Sequence, residues 1–354
     1  MMIKKIRSFV NENRMYAWMI VFIIFIQTFS AAMHSNDFES FKNSSYQREQ
    51  FAKEVKLKEQ ALREILLNDS KASRNFGFIF LLALGLLVVG VFFLANYISK
   101  RRESIDIIPR TLNAPGVVWS LRDVLKVVML FVFFHSLFSI VVYILGHLFL
   151  ASLRNSRFDM VLSTVLMDLL ALFFILRVVT LKYHQSVEAL GISFKNIFQN
   201  IRVGLYSYIA FLPILAVLFF LVIAIARLLN YVLPPQPVYE LLFKEDRPIM
   251  LVFVSFLIAL LGPVIEEVFF RGFLYGALKK SLGVVLTVII SGFLFSFLHI
   301  NLLGFIPIMA LGVFLAYMRE RTGSLIPSIT VHIVHNSAIT MMMFFIRDIM
   351  SKAA

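Results

Sequence analysis

The sequence predicts an all-α fold: a polytopic transmembrane helical bundle of about eight or nine spans. Two observations carry this. Of 354 residues, 60% are hydrophobic and only 16% charged, against roughly a quarter charged in soluble domains, and the mean hydropathy is +0.85. The apolar residues also gather into continuous runs close to the roughly 20 residues that a bilayer-crossing helix needs. Continuous runs favour helices over the alternating strands of a barrel. No water-soluble fold of this size has enough interior for so much apolar surface. A soluble enzyme, a disordered chain and a fibrous repeat are therefore excluded. The absence of Cys removes disulfides, thiolate metal sites and cysteine nucleophiles. The net charge of +13 reads as basic cytoplasmic loops, so the expected partner is the lipid bilayer and not nucleic acid. No internal repeat is visible, which counts against many transporter folds.

Nine runs are candidate spans: 15–32, 76–98, 127–151, 159–179, 203–226, 248–268, 283–300, 304–318 and 325–346. The eighth is short, and the sixth keeps its apolar character past its end. Lys4, Lys5, Arg7 and Arg14 against Glu12 place the N-terminus in the cytoplasm. The first span, in 1–32, reads as a retained anchor, although Ser30, Ala31 and Ala32 would also suit a cleaved signal peptide. Residues 33–75 hold eight basic and seven acidic residues, a balance expected outside the membrane. Within them Phe51, Val55, Leu62, Ile65 and Leu66 fall near helical spacing. This is an extracytoplasmic amphipathic segment, a solvated extension or, over 46–68, a self-association element. The 99–126 loop carries six basic residues against three acids and returns to the cytoplasm. Residues 76–184 form a first set of membrane helices and 185–348 a second, catalytic one.

Ionisable residues inside spans cost a few kcal/mol and are usually functional. Here they cluster in three stretches. In Gly262–Gly272, Glu266 and Glu267 are adjacent carboxylates in an apolar helix. Glu267 and Arg271 are four apart and share a face, while Glu266 is turned away by about 100° and suits a general base. His299 ends a second apolar helix after Phe295. His332 and Asn336, four apart on a third, can both donate to a developing oxyanion. His335, three from His332, offers the alternative of a metal clamp. Each stretch also has a plain reading, as a solvated helix end or an interhelical contact. Their occurrence together within 71 residues supplies what is needed to activate water and stabilise a tetrahedral intermediate.

These motifs, Glu-Glu-x-x-x-Arg at 266–271, Phe-x-x-x-His at 295–299 and His-x-x-x-Asn at 332–336, resemble those of the CAAX-processing and bacteriocin-processing (CPBP, or Abi) intramembrane proteases. The type II CAAX prenyl proteases are of this kind. Flanking residues agree: Phe270, Arg271 and Gly272, then Arg321 through Leu325 to Pro327, and more weakly Leu190, Gly191 and Ile192. The resemblance covers about 185–345. It implies a hydrolase in which Glu266, assisted by His299, activates water. Glu267 and Arg271 would be a supporting ion pair, and His332 and Asn336 the oxyanion hole. The family is often classed as metalloendopeptidases, yet its structural view favours a metal-free glutamate mechanism, and the chain lacks a His-Glu-x-x-His helix. No cofactor is therefore expected; the alternative is zinc held by Glu266, His299 and His332. The implied substrate is a peptide or protein presented at the membrane. The implied location is the bacterial inner (plasma) membrane, with the site opening toward the cytoplasm.

Two rival readings remain. His135 in the third span and Asp168 in the fourth could form a relay in a transporter, or the chain could be a non-catalytic membrane scaffold.

Overall fold

The computed structural model describes residues 14–33, 60–102, 116–148, 157–229, 245–299 and 304–351, with the isolated positions 53, 57 and 242. Among these residues there is no strand, and each of the nine apolar runs falls on a helix. The helices are α1 (Arg14–Met33), α2 (Ser70–Arg102), α3 (Leu121–Leu148), α4 (Arg157–Leu176), α5 (Ile197–Leu228), α6 (from Pro248), α7 (Tyr275–Leu298), α8 (Phe305–Thr322) and α9 (Ile326–Met350). α6 alternates between α and π winding: Pro248–Phe256, the π turn Leu257–Leu261, Gly262–Glu267, then the π turn Val268–Leu274. Proline stands in the first turn of the Pro248 and Ile326 segments, where its missing N–H costs nothing.

Among the described residues six stretches are long and apolar enough to cross a bilayer: Ser70–Lys100, Leu121–Val142, Val161–Lys182, Ile197–Leu228, Pro248–Leu298 and Ile326–Ile349. The sixth and seventh runs, separate in the sequence reading, join in the 51-residue Pro248–Leu298 stretch. A straight helix of that length would run about 75 Å, far more than a bilayer core of about 30 Å. Gly283, at φ 71° and ψ 179°, breaks it. Apolar side chains such as Phe78, Phe80, Leu81 and Phe92 of α2 stand exposed, as a lipid-facing surface requires.

The chain forms two compact units, 1–47 with 119–184, and 48–118 with 185–354. In the first, Phe22 of α1 meets Phe133 of α3 at 5.1 Å between ring centres, and Phe134 stacks on Phe174 of α4 at 5.8 Å. The buried Asp123 accepts hydrogen bonds from the Ser120 N–H and hydroxyl, both at 2.9 Å, from the Tyr183 hydroxyl at 2.8 Å, and from the Lys182 ammonium. His135 lies on α3, where its ring stacks on Phe131, and Asp168 lies on α4.

In the second unit α2 packs on α5 through Phe93 and Tyr206, whose rings stack at 4.5 Å. Tyr208, Leu311, Leu315 and Val331 form a core shared by α5, α8 and α9, with Phe211 stacked on Phe314 at 4.1 Å. Residues 60–68 are helical, with Leu62, Ile65 and Leu66 half-buried and Arg63 and Glu64 exposed, the amphipathic pattern read from the sequence. Phe51 and Val55 lie outside the described residues.

α7 and α8 cross closely. A Cβ on Gly292 would lie 2.6 Å from the Val313 backbone nitrogen, and one on Gly312 would lie 2.9 Å from the Gly292 Cα. Only hydrogen fits at either position, so the two backbones touch. Gly292→Ala should therefore force the helices apart. We expect a loss of about 1–3 kcal/mol, read as a lower thermal midpoint of the detergent-solubilised protein; an unchanged midpoint would contradict the crossing.

Candidate active site

The site begins with an irregularity in α6. The Gly262 N–H bonds to the Leu257 carbonyl, five residues back. The Ile258 carbonyl would then look to residue 263, but Pro263 has no N–H. An unpaired carbonyl in an apolar interior costs several kcal/mol. Asn336 of α9 supplies the missing donor, its Nδ2 lying 3.0 Å from the Ile258 oxygen. One N–H of the Asn336 amide is thereby committed, and the other is left to act elsewhere.

Glu266 and Glu267 sit between the two π turns, on different faces. Glu267 is fully buried, as is Arg271 one turn on. The Arg271 Nη1 donates to Glu267 Oε1 at 2.9 Å, and its Nη2 donates to the Gly312 carbonyl at 3.0 Å. The Gly292–Gly312 crossing brings that carbonyl within reach. The guanidinium also lies over the Phe295 ring, 4.4 Å from its centre, a favourable cation–π placement. His332 completes the cluster, with Nδ1 3.0 Å from Glu267 Oε1 and its ring edge-to-face with Phe295 at 5.5 Å. A carboxylate oxygen only accepts, so the His332 Nδ1 carries the proton and Nε2 points onward. Nε2 is 3.8 Å from Glu266 Oε2.

Glu266 is held differently. Its side chain is 38% exposed, and Oε2 has no hydrogen-bond partner among the described residues. His299, half-buried at the end of α7, places Nδ1 2.7 Å from the Phe295 carbonyl. By the same reasoning Nδ1 is the donor, and the neutral ring presents an Nε2 lone pair.

The structure thus joins Glu267, Arg271 and His332 by direct bonds, sets Glu266 beside His332, and ties Asn336 to α6. His335 is used elsewhere: its Nδ1 lies 3.1 Å from the Tyr208 hydroxyl of α5, with the two rings edge-to-face. Among the described residues no group of three or more His, Cys, Asp or Glu is arranged to hold a metal ion. Neither the zinc set Glu266, His299 and His332 nor a His332–His335 clamp with a third such ligand is assembled.

Several participants were not anticipated: the Gly312 and Ile258 carbonyls, the Phe295 ring beneath Arg271, and Tyr208. Only the Ile258 carbonyl had a sequence signal, since a proline five residues on leaves it without a donor in a π turn. Leu190 and Gly191, a weak match in the sequence, form a brace. Gly191, at φ 92°, follows the short turn Val187–Leu190, whose Ala189 and Leu190 are buried. The Leu190 carbonyl packs on Gly272, and the Gly191 carbonyl accepts the Leu325 N–H at 2.8 Å. One loop thus holds the second π turn of α6 against the start of α9.

An apolar helical bundle here encloses paired carboxylates, imidazoles and an amide. Residues 248–338, which span α6 to α9 and contain all three motifs, match a family described as type II CAAX prenyl endopeptidase Rce1-like. The match supports a CAAX-type intramembrane protease, a peptidase, as the general class of the protein. No curated protein and no solved structure matches the chain.

The buried network sets a test. Arg271→Gln leaves Glu267 buried without its cation, at a cost of about 3–5 kcal/mol, and should sharply lower the thermal midpoint. The double variant Glu267→Gln, Arg271→Gln removes both charges and should regain part of the loss. If the double variant falls by the sum of the single losses, the pairing is refuted.

Proposed function

We propose that the protein hydrolyses a peptide bond of a membrane-presented peptide or protein with a water activated by Glu266. The observation that carries this reading is the unequal treatment of the two adjacent carboxylates. Glu267 is fully buried and bonded to Arg271 and His332. Glu266 keeps a side chain 38% exposed, with its carboxylate 3.8 Å from the His332 Nε2. One is a fixed counter-charge and the other is free to take a proton.

In the proposed reaction Glu266 removes a proton from water as its oxygen adds to the carbonyl carbon. The His299 Nε2 lone pair accepts the second water hydrogen and orients the nucleophile. The carbonyl oxygen becomes an oxyanion, received by the uncommitted N–H of Asn336 and by the His332 Nε2–H. For Nε2 to donate, His332 must be an imidazolium, since Nδ1 already bears a proton. The charges then close: Glu266 and Glu267 balance Arg271 and His332. Collapse of the intermediate breaks the C–N bond, and Glu266 returns its proton to the leaving amine. The products are a carboxylic acid and an amine, so atoms and protons balance.

The metal-free route rests on the chain's own side chains; the alternative is a zinc-assisted one. The basic loops support a site that opens to the cytoplasmic side of a bacterial inner membrane.

Glu266→Gln should abolish peptide cleavage, a loss of at least about 10³-fold, while leaving the folding stability within about 1 kcal/mol of the parent. Comparing membrane and secreted protein termini from cells with each form would expose the substrate; a fully active variant would end the assignment. Cleavage by purified protein should persist after exhaustive chelation, and loss of cleavage that added zinc restores would favour the metal route.

A further inference from the structure

One buried cation of the second unit plays no part in the site. Arg319, in the last turn of α8, is 9% exposed, and its Nε has no hydrogen-bond partner among the described residues. Its guanidinium lies directly on Gly191: a Cβ there would fall 2.6–2.8 Å from Cζ, Nη2 and Nε. The absent side chain of Gly191 is the floor of this cradle.

The acceptors around the cradle are committed. Glu320, the adjacent acid, takes the Lys279 ammonium on both oxygens, at 2.9 and 2.8 Å, and the Tyr275 hydroxyl at 2.8 Å. The Gly191 carbonyl takes the Leu325 N–H. Glu320 acts on the Arg319 guanidinium electrostatically but takes its hydrogen bonds from Lys279 and Tyr275, and the planar fork of the arginine suits a phosphate or carboxylate.

The surroundings favour phosphate. Segments 187–198, 275–281 and 319–325 hold Lys195, Lys279, Lys280, Arg319 and Arg321 against Glu188 and Glu320. Phe194 and Phe198, on either side of Lys195, are 73% and 76% exposed. Large apolar side chains in the open beside a lysine belong where lipid tails meet headgroups. Basic recesses between helices at that level attract lipid phosphates.

We propose that Arg319, cradled on Gly191, binds a phosphate group, with a phospholipid headgroup at the membrane surface as its source. The full chain, purified in uncharged detergent, is titrated with short-chain phosphatidylglycerol and, separately, with inorganic phosphate, and its thermal midpoint is followed. The lipid should raise the midpoint by about 2–4 °C, and Arg319→Gln should abolish the rise. Arg319→Lys keeps the charge, loses the fork and should need at least about tenfold more lipid, which covers the case of a Gln variant that fails to fold. An equal rise with inorganic phosphate would support the site but overturn lipid as its source. The site itself is overturned if the Arg319 variants respond like the parent, or if the parent responds to neither phosphate. A parent that responds only to a peptide with a free C-terminal carboxylate overturns the choice of phosphate.

Discussion

The site depends on one oxygen. Glu267 Oε1 accepts from Arg271 and from His332, and so joins a cation on α6 to an imidazole on α9. A carboxylate buried in an apolar bundle is tenable only when compensated, and each partner here is itself placed by something else. Arg271 reaches the Gly312 carbonyl because Gly292 and Gly312 let α7 and α8 touch. His332 rests on Phe295, the ring that also underlies Arg271. Four helices are therefore fixed relative to one another by groups within a few ångströms of a single acid.

In the proposed reaction this arrangement separates structural from chemical labour between neighbours in sequence. Adjacent positions on a helix point about 100° apart, so one carboxylate can be wholly enclosed while the next faces open space. Enclosure gives Glu267 its two partners, and exposure leaves Glu266 able to exchange protons with water. A single ionisable group could not serve both needs, because the bonds that hold it would also block it.

Much of the helical architecture is legible in the sequence, since apolar run length dictates spans with little help from tertiary context. All nine runs coincide with helices. The joining of the sixth and seventh was less legible, because Lys279 and Lys280 interrupt the apolar character, whereas the backbone breaks only at Gly283. The Glu267–Arg271 pair followed from i,i+4 spacing, a local rule. The bond of Glu267 to His332 spans 65 residues and no local rule reaches it. His335 shows the same limit: spacing puts it near His332, and Tyr208 on a distant helix turns it to another use. The π turns were also hidden, apart from the proline that forces one carbonyl to seek an outside donor.

That proline has a bearing on how the protein is made. The ribosome produces α6 before α9, so the Ile258 carbonyl enters the membrane without the Asn336 amide that later covers it. Glu267 and Arg271, by contrast, lie on one helix and can neutralise each other as that helix inserts. The nascent chain thus carries its charged pair ready-made, while one backbone oxygen waits for the arrival of the ninth helix. Until then a water or a headgroup must satisfy that oxygen. The bond from Asn336 to Ile258 can form only once the ninth helix is in place.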